Sequence, residues 1–233
     1  MVSIGRVELI ELRPRLHLLR FEVGQAYLWQ DGDSLTLIDT GPVGSGEAIA
    51  SAVRKVGGEL ARIVLTHAHG DHTGSAAEIL QWSAPSVLAH RVEAPLIRGE
   101  QAIPPPNLLD WERPLFEQVS GHLSAPPCPV TQELEDGDVV DFGGGAQVLA
   151  IPGHTAGSIA IHLPEQKVLF TGDTVAEYNG DVIVGVFNLD HAETARSARR
   201  LAALPVELAC PGHGTPFTNA SARLTSLVQS LPG

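Results

Sequence analysis

Hydrophobic and polar residues alternate through the first forty positions, as is typical of half-buried β-strands. Turn residues such as Asp31-Gly32-Asp33 separate the alternating runs, which favours an antiparallel meander. We predict its strands at residues 7–12, 16–21, 26–30 and 34–39. The pattern then changes to helical spacing over 45–56, with Ser45 as the expected N-cap, and to a β-branched strand over 62–66. The chain therefore passes from a meander into a β-α-β unit.

The pattern after residue 74 is interrupted by a long irregular segment. A helix over 75–82, a strand over 86–90 and a short helix over 91–97 are predicted first. Prolines then recur between residues 99 and 130, where they preclude long helices or ladders. Because this segment also contains large apolar residues, we expect a partly apolar cover over a site rather than a mobile linker.

Short strands and helices return after residue 131. Strands are predicted over 139–142, 147–151, 158–163, 168–170 and 207–210, and helices over 190–204 and 219–231. This order echoes the first part of the chain. We therefore predict one domain over residues 1–233, made of two related halves, about 1–98 and 131–233, joined by the proline-rich loop 99–130. The expected fold class is α/β, a four-layer αββα sandwich of two mixed β-sheets with helices on the outer faces.

Composition excludes several classes of protein. The 233 residues are 43% hydrophobic and carry a net charge of −12, with no large basic cluster, so we expect no nucleic-acid partner. Two distant cysteines do not make a disulfide framework. The first twenty residues lack the apolar core of a signal peptide, and no apolar run approaches membrane length. We predict a cytoplasmic protein without a membrane partner.

The strongest chemical signal follows the predicted strand 62–66. The residues His67, His69, Asp71 and His72 place four ligand-type side chains within six positions. Neutral imidazole and carboxylate are preferred ligands of ions such as zinc. From composition alone this arrangement would arise by chance in roughly one chain in a thousand. The segment therefore predicts a metal site.

Four other strand ends carry a possible ligand or supporting carboxylate. His154, Asp173 and His213 each follow an apolar run and lie beside glycine, and Asp39 ends the strand 35–38. Taken singly, each residue is explained as a turn or cap residue. Together with the first cluster, they supply five histidines and two or three carboxylates, which exceeds the three protein ligands that one catalytic zinc requires. Two ions are therefore implied.

These motifs occur in the order typical of one superfamily. With Asp39, the His67-x-His69-x-Asp71-His72 run, His154, Asp173 and His213, the chain resembles the metallo-β-lactamase-fold hydrolases over roughly residues 20–217. The resemblance implies that fold and a ligand set. One metal would be held by His67, His69 and His154, the other by Asp71, His72 and His213, with Asp173 bridging them and Asp39 orienting a ligand.

Departures from named subfamilies narrow the expected substrate. Zinc β-lactamases typically have cysteine where Asp173 stands and lack the counterpart of His72. Glyoxalase II is similar through the first motif, but its G-C-G-R stretch is replaced here by residues 174–178. Lactonases that open acyl-homoserine lactones place a tyrosine soon after the bridging aspartate, which makes Tyr178 a candidate. The candidate catalytic residues are therefore Asp71, Asp39 and Tyr178.

The sequence thus predicts a dinuclear metal-dependent hydrolase in which a metal-bridging hydroxide cleaves a small ester, lactone or thioester. The alternatives are a phosphodiesterase or nuclease on the same site, and a mononuclear iron thiol or persulfide dioxygenase. Two divalent ions are the expected cofactors, with zinc as first choice and iron or manganese as options. The expected partner is a small-molecule substrate, and a homodimer is left open.

Overall fold

The computed structural model describes residues 7–232, which form two compact units. Unit 1 contains the described residues through Ile103 together with Val119–Leu134. Unit 2 contains Pro104–Gln118 and the described residues from Glu135 onward. Each unit has one large mixed sheet and its own apolar core.

Unit 1 is built on a seven-stranded sheet whose strands follow one another in chain order. The first four strands are antiparallel and the last four run parallel to one another. The strands are β1 (Glu8–Arg13), β2 (Leu16–Arg20), β3 (Gln25–Asp31), β4 (Ser34–Ile38), β5 (Glu59–Leu65), β6 (Ser86–His90) and β7 (Gln132–Leu134). The predicted meander and the following β-α-β unit are both present.

The helices of unit 1 are short apart from the first. They are α1 (Gly46–Val56), α2 (Gly70–Thr73), α3 (Ala76–Ile79) and α4 (Ala94–Ile97), and a 3-10 helix covers Ser120–His122. Ile49, Ile79 and Ile97 pack into the same core as the buried residues of β4 and β5. Strands covered in this way read as continuous apolar runs, and β5 ends in such a run before the histidines begin.

The structure confirms Ser45 at the N-cap position of α1 but corrects its expected capping bond and the predicted helix over 75–82. The Ser45 side chain makes no capping hydrogen bond. Instead, the Glu78 carboxylate accepts from the N–H groups of Gly44 and Gly46, at 2.6 and 3.0 Å. The Ser75 hydroxyl donates to the Pro42 carbonyl and accepts from Ser45 N–H. Within the predicted span 75–82, only Ala76–Ile79 forms an α-helix, and the separate four-residue helix α2 precedes it.

Unit 2 is built on a six-stranded sheet. Its strands are β8 (Val139–Val140), β9 (Ala146–Ala150), β10 (Ile159–Leu163), β11 (Val168–Gly172), β14 (Leu208–Pro211) and β15 (Phe217–Thr218). They lie in the order β15-β14-β11-β10-β9-β8, and within this sheet only the β11–β14 pair is parallel. A separate hairpin consists of β12 (Val175–Tyr178) and β13 (Asp181–Val184). Helix α5 (Arg113–Val119) lies in the proline-rich segment, and α6 (His191–Ala202) and α7 (Ala220–Ser230) pack on the sheet core.

Two features of these elements were not predicted from the sequence. Strand β7, which we assigned to the second half, pairs in parallel with β6 in unit 1. The hairpin β12–β13 was missed although Asn179-Gly180 forms its turn with both φ angles positive, 53° and 92°. Such a pair is the strongest short-range hairpin signal, and it could have been used. The predicted start of α6 is confirmed, since Asp190 accepts from Glu193 N–H at 2.9 Å.

None of the helices formed by residues 7–232 combines the length and apolar character needed to cross a membrane.

The proline-rich segment contains a helix and makes backbone contacts with unit 1 residues from its C-terminal part. Part of it contributes α5, and Leu123 accepts from Gly70 N–H at 3.0 Å within unit 1. Its role as a cover stays a prediction.

His162, buried on β10, is expected to make the fold sensitive to acid. Desolvation is the main cause that lowers its pKa from 6.5, and it outweighs the hydrogen bond that the imidazole donates to the Pro205 carbonyl, which raises the pKa. The unfolded chain therefore binds this proton more readily, so the contribution to stability is present above about pH 6.5 and is lost as the pH falls toward the depressed pKa. In His162→Gln, we expect the free energy of unfolding to fall less steeply between pH 6.5 and 5 in denaturant titrations. Equal slopes for both proteins would contradict this.

Candidate metal centre

Three imidazoles meet where β5 of unit 1 ends. His67 and His69 lie edge to face, with Nε2 of His67 3.1 Å from Nδ1 of His69. The rings of His67 and His72 are 4.1 Å apart between centroids. All three are buried. Chain direction changes here because a strand ends and helix α2 begins at Gly70, which turns successive side chains toward one point.

Helix α2 adds a carboxylate to these imidazoles. Asp71 is 6% exposed, and its Oδ2 atom lies 3.8 Å from Nε2 of His72. Ligand atoms around a tetrahedral zinc are about 3.3 Å apart when the metal–nitrogen distance is about 2.0 Å. The separations of 3.1 and 3.8 Å are therefore compatible with ligands of a divalent ion.

In unit 1, Asp39 contacts the Nδ1 side of the His72 ring. Its Oδ2 accepts from Nδ1 of His72 at 2.9 Å and from the Thr66 hydroxyl at 2.8 Å, while Oδ1 accepts from Thr66 N–H at 2.8 Å. This bond requires the His72 proton on Nδ1 and so directs the Nε2 lone pair away from Asp39. The structure thus makes Asp39 the partner of a candidate ligand, and a part in catalysis stays a prediction.

Glu93 is a supporting residue that sequence reasoning missed. It is completely buried, and its Oε2 accepts at 2.8 Å from the N–H of Ala68, the residue between His67 and His69. A buried carboxylate in this position stabilises the loop that carries both histidines. No local motif marks Glu93, because it is brought there only by the return of the chain through β6.

A second cluster lies within unit 2, around Asp173. The Oδ2 atom of Asp173 is 3.7 Å from Nε2 of His154 and 3.2 Å from Nε2 of His213. His154 is buried, whereas 38% of the His213 side chain is exposed. The Nδ1 atom of His154 donates to the Val186 carbonyl at 3.1 Å, since a carbonyl can only accept. Both histidines therefore present Nε2 to the same carboxylate oxygen.

Gly153 precedes His154 because no other residue fits there. Its φ is 130°, outside the range that L side chains adopt, and a Cβ would overlap the backbone N–H of Thr194. The Asp190 N–H donates to the Gly153 carbonyl at 2.9 Å. The glycine beside the ligand thus allows the start of α6 to approach the strand end.

The hairpin β12–β13 holds the loop that carries His213. Glu177 accepts from Thr215 N–H at 2.7 Å and also from Gly180 N–H. Its own N–H donates to the His213 carbonyl at 3.2 Å. The bond from Thr215 is the main cause that lowers the pKa of Glu177 below its usual value. This support was missed together with the hairpin.

The donor set fits a divalent metal. Seven side chains belong to groups that could hold an ion, namely His67, His69, Asp71 and His72 in unit 1 and His154, Asp173 and His213 in unit 2. Imidazoles and carboxylates of this kind suit zinc, iron or manganese. The candidate catalytic residue Tyr178 is not a member of these groups. It lies at the end of β12 with 66% of its surface exposed.

Two mixed sheets with helices and a cluster of histidine and aspartate ligands define a metal-binding α/β protein. The model of the Metallo-beta-lactamase superfamily matches residues 19–213. The chain belongs to this superfamily of metal-dependent hydrolases. The predicted fold class is confirmed, because the solved structures that the chain resembles have the metallo-β-lactamase fold.

Individual relatives agree with this assignment. The chain is 32% identical to the probable metallo-hydrolase YflN of Bacillus subtilis (strain 168), over 93% of this chain and 90% of that protein. It is 33% identical to the acyl-coenzyme A thioesterase MBLAC2 of Gallus gallus over 66% of this chain and 56% of that protein. The crystal structure of TTHA1623 in a di-iron-bound form aligns with a TM-score of 0.67 and 31% identity, covering 94% of this chain and 98% of that one.

Proposed function

We propose that the protein is a dinuclear metal hydrolase that cleaves a thioester or a related small ester or lactone. One ion would be held by His67, His69 and His154 and the other by Asp71, His72 and His213, with Asp173 shared. The observation that carries the proposal is the seven-member ligand set. A single catalytic zinc takes three protein ligands and a water, so seven ligands serve two ions better than one.

The cluster in unit 2 supports a shared Asp173. Two histidines that we assign to different ions both direct Nε2 to its Oδ2 atom, at 3.7 and 3.2 Å. A carboxylate in this position suits a bridge between the ions. When bound, two divalent ions supply Lewis acidity for the scissile carbonyl and lower the pKa of water toward neutrality.

The side chains of the protein position these ligands and handle protons. Asp39 fixes the His72 tautomer by accepting from Nδ1, and the Val186 carbonyl does the same for His154. We assign to Asp71 a carboxylate oxygen that orients the attacking water and can accept its proton. The burial of His67, His72 and His154 excludes bulk water from these ligand atoms, whereas His213 is open to solvent.

The thioester preference and the choice of metal come from the relatives. A thioesterase and a di-iron protein are among the similar proteins, so iron is a realistic alternative to zinc. The sequence has a net charge of −12 and lacks a large basic cluster that would bind a long nucleic acid. We therefore rank phosphodiester hydrolysis below ester and thioester hydrolysis.

Elemental analysis joined to a substrate panel tests the proposal. We expect two transition-metal ions per chain and turnover of acyl thioesters or aryl esters, lost on chelation and restored by zinc or iron. Lactones and phosphodiesters complete the panel. Full turnover by the chelated protein, one ion with oxygen-dependent thiol oxidation, or exclusive phosphodiester hydrolysis would refute it.

A further inference from the structure

The proline-rich segment of unit 2 contains one buried charged residue, Glu112. It is 1% exposed, whereas its neighbours Trp111 and Arg113 are exposed. Its Oε2 accepts from Leu109 N–H at 2.8 Å within the segment. Its Oε1 accepts from Phe187 N–H at 3.0 Å, a residue 75 positions later in the chain. Both carboxylate oxygens are thus used to bind backbone, and one of them binds a distant loop.

The loop that Glu112 contacts has an unfavourable backbone conformation. Phe187 has a φ of 59°, a region that bulky residues rarely adopt and that costs of order 1 kcal/mol or more. Further contacts retain it there. Phe116 packs edge to face on the Phe187 ring at 5.3 Å, and Asn107 N–H donates to the Asn188 carbonyl at 2.9 Å. The segment therefore stabilises a strained loop.

The same loop orients His154. The Val186 carbonyl accepts from Nδ1 of His154 at 3.1 Å, and Leu189 N–H donates to the His154 carbonyl at 3.2 Å. A proton held on Nδ1 leaves the Nε2 lone pair free for a metal, toward the side where Asp173 lies. The Val186 carbonyl and the Phe187 N–H belong to the same peptide group. A hydrogen bond to that N–H therefore fixes the direction in which the carbonyl points.

We propose that Glu112 is a positioning residue for His154. It holds the Val186–Phe187 peptide group so that its carbonyl selects the His154 tautomer with the proton on Nδ1. This inference rests on the proposed function only in taking His154 as a metal ligand. It predicts that a residue far from His154 in sequence determines which tautomer of the His154 ring is populated and so whether Nε2 is free to bind a metal.

The test compares Glu112→Gln with Glu117→Gln. Both changes replace a glutamate at or near helix α5 by glutamine, but Glu112 is buried just before the helix and Glu117 is exposed within it. A glutamine at 112 can accept from one N–H while its amide group opposes the other. In the metal-free protein at pH 8, long-range ¹⁵N spectra of the His154 ring should show the Nε2–H tautomer rising in Glu112→Gln. Zinc affinity, measured by chelator competition, should fall about tenfold, the lower end for residues that support ligands. Glu117→Gln should match wild type in both.

Three outcomes are decisive. Wild-type ring shifts and zinc affinity in Glu112→Gln would overturn the inference. If that variant unfolds, Glu112→Asp keeps the charge, shortens the reach to Phe187 and should show the same changes; unchanged shifts would again overturn it. His154→Ala separates the two claims. Undiminished zinc binding by His154→Ala would refute the ligand set. If His154→Ala loses zinc binding but Glu112→Gln keeps wild-type ring shifts and zinc affinity, only the positioning role is refuted.

Discussion

Asp173→Ala is expected to lower kcat/KM about a thousandfold, which corresponds to roughly 4 kcal/mol of transition-state stabilisation. The reason is that Oδ2 of Asp173 faces Nε2 of both His154 and His213, so its loss should weaken both ions of the proposed pair. The fold should survive, because an alanine at this strand end keeps the backbone bonds of β11.

Metal content per chain, turnover of the best substrate and the thermal midpoint of the metal-free protein should be measured together. The matched control is Asp181→Ala, which removes an exposed carboxylate from the neighbouring hairpin. It should retain two ions and wild-type turnover. The bridging role would be wrong if Asp173→Ala kept both ions, or if its turnover fell less than about tenfold.

Gly185→Ala is expected to have the largest effect on stability. A Cβ at this position would overlap the backbone carbonyl of Asp173, and Gly185 N–H donates to the Thr174 carbonyl at 3.1 Å. Backbone cannot yield as a flexible side chain can. We therefore expect the free energy of unfolding to fall by about 3 kcal/mol, at the upper end for overpacking.

The same change should also weaken metal binding, because Gly185 precedes the loop whose Val186 carbonyl orients His154. Chemical denaturation and zinc titration measure the two effects. Gly121→Ala is the control, since a Cβ there meets open space and its φ is ordinary. That control should change stability by less than about 1 kcal/mol. A Gly185→Ala protein as stable as wild type would show that the backbone around Asp173 can shift at little cost.

The candidate ligands could be predicted from the sequence because each lies at the end of an apolar strand. His67, His69 and His72 follow β5 directly, and Asp173 follows β11. Strand ends in mixed sheets are places where side chains leave the core and become available for chemistry. The hairpin at Asn179-Gly180 was also marked by its residues, although we did not predict it.

The supporting residues could not be predicted in this way. Glu93 reaches the Ala68 N–H from a different strand end, and Glu112 reaches the Phe187 N–H across 75 positions. A glutamate in a helix or loop has no pattern that separates a buried acceptor from an exposed charge. At the start of α1, the Ser45 side chain makes no capping bond, and the contact of Glu78 with the Gly44 and Gly46 N–H groups was likewise not indicated by local spacing.

By itself, the amino-acid sequence determined the alternation that forms two sheets, the strand ends and the identity of the metal-type side chains, because these depend on local spacing. Only the tertiary structure decided that Asp39 fixes the His72 tautomer, that β7 joins the first sheet, and that Glu112 holds the loop behind His154. Those features are hydrogen bonds between segments far apart in the chain. They form when packing brings specific backbone and side-chain groups together, and the local spacing of residues does not indicate which distant groups will meet.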